Sequence, residues 1–157
     1  MTGPSGWSLS LVRTRIPVVT EPIITRAMVG TVRPLTHPRH LPVPARLWTD
    51  AEWDLIRRGH RSRSEHDRWN VVVEHGRLYL YRRGSGVGIY EARFTPVGDA
   101  WAITELVMNG DEEVHRLDSV EVHALHAEAL VDSLLLGRTE SRAISALRLA
   151  PPTPVPA

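Results

Sequence analysis

The sequence predicts an α+β fold: a four-stranded antiparallel meander packed against a long C-terminal helix, with a short helix ahead of it. Three observations predict it. Apolar residues follow a period of two from Trp69 to Met108 and a helical period after Asp118. Of the 12 prolines, only Pro96 interrupts residues 47–137. Proline fixes φ and lacks a backbone donor, so helix interiors and central strands exclude it. Seven prolines fall in 1–46 and four in 151–157. We therefore expect a compact domain at 47–137, a largely irregular arm at 1–46, and a short helical segment with a proline-rich tail at 138–157.

Each element has a local cause. Thr49-Asp50-Ala51-Glu52 is a capping box, followed by Trp53, Leu55 and Ile56 in a helix that ends near Gly59. Trp69–Glu74 and Arg77–Arg82 read as strands joined by a His75-Gly76 turn. Gly84-Ser85-Gly86 breaks the pattern, Gly88–Phe94 forms a third strand, and Trp101–Met108 a fourth after a turn at Pro96–Asp99. The long helix starts at Asp118 or Ser119 and stops at Gly137. Val120, Ala124, Ala127, Val131, Leu134 and Leu135 form one apolar stripe, facing the sheet. Val122, Leu125, Ala129 and Leu136 form a second. Its partner is the arm, the 139–149 segment or another subunit; we expect an intramolecular one, with a homo-oligomer through the 119–136 helix as the other option. Glu121, Glu128 and Asp132 read as a solvated acidic edge between the stripes.

Composition excludes several classes. The absence of cysteine removes disulfides, thiolate zinc sites and cysteine nucleophiles. No run approaches the ~18 apolar residues of a membrane span, and the first residues lack the pattern of a signal peptide. The expectation is a cytoplasmic protein with no membrane partner. The net charge of +1 hides a division: residues 1–46 carry six arginines and one acid, whereas 47–137 carry ten arginines and sixteen acids. The acidic domain argues against nucleic-acid binding. All 19 basic residues are arginine, which we read as base composition rather than chemistry.

The clearest candidate site is the hairpin region 81–91. Gly84, Gly86 and Gly88 leave backbone amides uncovered beside Arg82 and Arg83, a composition suited to an anion. The spacing is not a dinucleotide fingerprint and lies between two strands. Tyr79 and Tyr81 share one strand face and Leu78 and Leu80 the other, so one face is core and the other partly open. The candidate binding residues are Trp69, Tyr81, Arg82, Ser85, Gly86 and Tyr90. His123 and His126, three apart on a helix, with His115 upstream, have metal-ligand spacing but no motif carboxylate, and we assign no metal. Glu74, Glu91 and Glu105 lie on neighbouring strands as a carboxylate group. Ser85 lacks the strand-to-helix elbow of a hydrolase nucleophile. We assign no catalytic residue and no cofactor.

Asp67, Arg68, Trp69, Glu74, Leu78, Tyr79, Arg82, Gly86, Ile89, Tyr90 and Phe94 follow a pattern D-x-K/R-W, then E, then L-Y-x-H-R-S-W-T-G-x-x-I-Y-x-x-x-F. In this the 47–137 region resembles a small uncharacterised bacterial domain, and Leu130–Gly137 resembles its closing helix. The resemblance implies an association with proteins that handle ADP-ribose and a site at the H-R-S-W-T-G loop. Tyr81, Arg83, Gly84 and Ser85 stand where that family has His, Ser, Trp and Thr. Arg82, Gly86 and Tyr90 survive, so the ligand differs or the site is vestigial.

These residues point first to a non-enzymatic binding or accessory module that recognises a small anionic ligand or a protein partner through the 81–91 surface. A hydrolase or transferase acting on a nucleotide-like substrate would need Glu74 or Glu91 facing the loop. A structural protein would dock its basic arm on a neighbour's acidic domain.

Overall fold

A computed structural model describes residues 22–112 and 119–150. In chain order these form a 3-10 turn Arg26–Met28, β1 Pro38–His40, β2 Trp48–Thr49, α1 Asp50–Ile56, β3 Trp69–Glu74, β4 Arg77–Arg82, β5 Gly88–Val97, β6 Ala100–Asn109, α2 Val120–Leu130 continuing as a π turn Val131–Leu135, and α3 Arg142–Leu149.

The expected meander is present, but the sheet has six strands. Its order is β1-β6-β5-β4-β3, with β2 also on β6. Residues 38–40, placed in the arm by their prolines, pair with 107–109, while Trp48 and Thr49 pair with Trp101 and Ala100. Pro38 is tolerated because it opens an edge strand. The chain before position 47 thus contributes to the sheet.

Local chemistry accounts for the rest. The Thr49 hydroxyl accepts from the Glu52 amide at 3.0 Å, and Glu52 accepts from the Thr49 amide at 2.8 Å. His75 and Gly76 both have positive φ, 52° and 77°, the geometry of a two-residue hairpin turn. Ser119 caps α2 by accepting from the Val122 amide. The helical rod is not uniform to Gly137: Leu136 donates to Val131, an i→i−5 bond that marks the π turn.

Alternation sorts the sheet into two faces. Trp69, Val71 and Val73 oppose Arg82, Leu80 and Leu78 in register, and Leu80 and Leu78 in turn oppose Tyr90 and Ala92. This face packs against Ile56 of α1 and the first stripe of α2, in a core with Trp48, Phe94, Ile103, Leu106 and Met108. Asn70, Val72, Tyr79, Tyr81, Glu91 and Val107 lie on the other face. The second stripe of α2 meets α3, with Ala129 and Ala143 buried there.

One expectation reverses. Asp132 is not a solvated edge residue but fully buried, and Glu128 is largely covered. Both are held by Arg46, which sits above Trp48 with its guanidinium 4.5 Å from the ring. Glu121 is exposed, as read from the sequence.

Candidate functional site

The six candidate residues divide between the two sheet faces and the connecting loop. Tyr81 and Arg82 are consecutive in β4, so their side chains leave opposite faces. On the helix side, the Arg82 guanidinium lies 5.8 Å from the Trp69 ring, and Trp69 stacks on Tyr90 at 6.2 Å. Tyr90 is fully buried, and its hydroxyl meets His123 Nδ1 at 2.6 Å and His126 Nδ1 at 3.0 Å. A hydroxyl has one proton, so it donates to one imidazole and accepts from the other. Tyr90 is therefore a core group and offers no contact surface. His115 lies outside the described residues. Among those described, no group of three or more His, Asp or Glu is placed to hold a metal ion.

On the opposite face the chain before 47 covers the hairpin. The Arg26 guanidinium lies 4.6 Å from the Tyr79 ring, bonds the Tyr81 hydroxyl and pairs with Glu74 at 2.9 Å. Tyr81 is left 3% exposed. Burial pushes its hydroxyl pKa above the ordinary value, against the opposing pull of Arg26. Arg33 donates to the Gly86 carbonyl and accepts from the Gly88 amide, each at 2.8 Å. A Cβ at Gly86 would overlap the Thr31 carbonyl, and its φ is +73°. The glycine at 86 thus admits the neighbouring 31–33 segment of this chain. Ser85 is exposed, and its hydroxyl accepts from the Val87 amide.

The carboxylates on this face are occupied. Arg77 spans Glu91 at 2.8 Å and Glu105 at 2.6 Å, so these two acids do meet, but across a guanidinium. Glu74 is separately held by Arg26.

What remains open beside the hairpin is a cleft of about 450 Å³ lined by Ala27–Gly30, Arg61, Ser62, Asn70, Arg83 and Gly84. Neither the Arg61 nor the Arg83 side chain pairs with any described residue, and no carboxylate lines the cleft. Asn70 is 9% exposed. Its Oδ1 accepts from the Ser62 amide at 2.7 Å, while Nδ2 has no partner among the described residues. The amides of Gly30 and Gly84 likewise donate to no described residue. These donors line the cleft together with two guanidiniums, so the arrangement favours an acceptor there.

A larger cavity, about 730 Å³, lies at the start of α3 and is lined by Arg46, Arg138 and Arg142. There Arg46 already holds Glu128 and Asp132, and Arg138 holds Glu52, with Glu140 also in the lining. Its charge is largely spent internally, which distinguishes it from the smaller cleft.

The sequence pointed to the neighbourhood through Arg83 and Gly84 but missed Arg61, Asn70 and Gly30. Arg61 follows His60, whose amide and carbonyl both pair with Val71. That pairing brings the 60–62 segment alongside β3, and nothing in the local sequence announces it. No family model, curated protein or solved structure matches this chain.

Proposed function

We propose that this chain is a binding module for a small anionic ligand, taken up in the cleft between residues 27–30, Arg61, Asn70 and the Arg83-Gly84 end of the hairpin loop. The observation that carries this reading is the pair of uncompensated guanidiniums, Arg61 and Arg83, in a cleft without a carboxylate. A cleft of this size falls within the range of about 300–1,000 Å³ of small-molecule sites. A hydrolase or transferase would require Glu74 or Glu91 as acid or base, and both are committed to arginine. An assembly role for the basic arm is disfavoured on similar grounds, because Arg26 and Arg46 engage acids of their own chain.

The test is a thermal-shift screen of the full chain against inorganic phosphate, nucleotides, sugar phosphates and dicarboxylates, with Arg61→Ala and Arg83→Ala in parallel. Stabilisation by an anion, lost in both variants, supports the reading. Stabilisation that both variants retain would relocate the site, and no stabilisation by any anion would remove the reading.

A further inference from the structure

We infer that the ligand's anchoring group is a phosphate monoester, held between Arg61 and Arg83 with its organic body along Ala27–Val29. This deepens the anion-binding reading and rests on it.

The first argument is the polarity of what the cleft leaves unused. Asn70 Oδ1 is taken by the Ser62 amide, and the Ser62 hydroxyl donates within its own loop, toward the Ser64 and Asp67 carbonyls. The side-chain groups left over are all donors: two guanidiniums and the Asn70 Nδ2, with the Gly30 and Gly84 amides beside them. A group that matches them accepts from several sides and carries negative charge. Alcohols, amides and protonated acids accept too, but bring no charge to set against two guanidiniums.

The second argument is the direction from which the donors arrive. They come from three separate segments: the stretch after the 3-10 turn, the 61–62 loop with β3 behind it, and the hairpin loop. A carboxylate is planar with two oxygens, and one guanidinium fork can engage both of them. A phosphate monoester presents three terminal oxygens around a tetrahedron, so donors converging from three segments each find one. Its charge at neutral pH, about −1.5 to −2, also matches two uncompensated arginines better than a single negative charge does.

The third argument is size and lining. The cavity, about 450 Å³, exceeds what a lone oxyanion fills, and one wall is Ala27, Met28 and Val29. An apolar wall beside a donor cluster suits an esterified phosphate better than a free one.

The experiment is isothermal titration of the full chain with a matched set, glucose 6-phosphate, glucose 6-sulfate and glucuronate, and with AMP against adenosine as a second body. The expected result is that the phosphate esters bind at least about tenfold tighter than the sulfate, the carboxylate and adenosine. Arg61→Ala and Arg83→Ala should each weaken phosphate ester binding by about tenfold or more. Asn70→Asp, which keeps the shape and adds a charge, should abolish it. Sulfate or carboxylate binding as tightly as phosphate, and still requiring both arginines, would overturn the phosphate assignment and leave the anion site standing. Binding indifferent to both arginines, or no binding by any member of the set, would overturn the anion site itself.

Discussion

Arg46 and Asp132 stand 86 residues apart and are joined by a two-pronged hydrogen bond, 2.9 Å from Nη1 to Oδ2 and 2.8 Å from Nη2 to Oδ1. The carboxylate is fully buried, whereas the Arg46 side chain retains 22% exposure and also reaches Glu128. This fork fixes the segment just before β2 onto the turn where α2 gives way to its π segment.

Breaking the fork from one side should be costly. Arg46→Ala leaves a buried carboxylate facing only Arg138, 3.7 Å away, and should lower unfolding free energy by about 3 kcal/mol. Asp132→Asn in the Arg46→Ala background should recover part of that loss, because it removes the stranded charge. Urea unfolding of the two single variants and the double variant gives the coupling energy. Purely additive losses would show that the pair does not act as a unit.

Arg26 presents the contrasting case. Its ion pair with Glu74 is more than a third exposed on both sides, so Arg26→Ala should cost only about 1 kcal/mol globally. The effect should instead be local. Amide exchange at Arg33 and Gly88, which pair where the early chain meets the hairpin, should accelerate more than exchange at Val71. Equal acceleration at all three sites would contradict a clasp confined to residues 22–33.

Two glycines in one loop should respond unequally. Gly84→Ala meets open space and suffers only its φ of +92°, a cost of about 1–2 kcal/mol. Gly86→Ala adds an overlap with the Thr31 backbone to a similar φ, and should cost clearly more. Comparing their melting temperatures checks this. Indistinguishable values would mean that the 31–33 segment moves away without penalty.

Acid should destabilise the fold partly through Glu52. Partial burial pushes its carboxyl up, but the Thr49 amide and the Arg138 guanidinium outweigh burial and hold it below its ordinary value of 4.5. A group depressed in the folded state contributes stability that is full above its unfolded pKa and vanishes as pH falls through the folded value. The wild type should therefore lose more stability than Glu52→Gln between pH 6 and the acid range below about 4. Equal losses, read from urea midpoints at each pH, would remove Glu52 from the explanation.

Much of the fold was legible because its signals are local. The capping box at Thr49, the His75-Gly76 turn, the four meander strands and the Ser119 cap each depend on residues within a few positions. The two added strands were not legible: Pro38-Arg39-His40 has no strand signature, and it pairs only because β6 extends to Asn109 and presents an open edge. Asp132 was misread because its burial depends on an arginine 86 residues away. At the candidate site, alternation already separates Tyr81 from Arg82, yet glycines beside arginines suggested a single surface. The early chain occupies one side of that loop through Arg33 and leaves the other, at Arg83 and Gly84, open. Arg61 and Asn70 join it through the His60–Val71 pairing, a contact no local pattern encodes.

The most direct test of the central claim is an amide and side-chain NMR titration of the full chain with inorganic phosphate. The account predicts saturable shifts concentrated at the Gly30 and Gly84 amides, the Asn70 side-chain NH2 and the Arg61 and Arg83 Nε–H groups. Shifts centred instead on Ser141 and Arg142, or a spectrum that phosphate leaves unchanged, would contradict it.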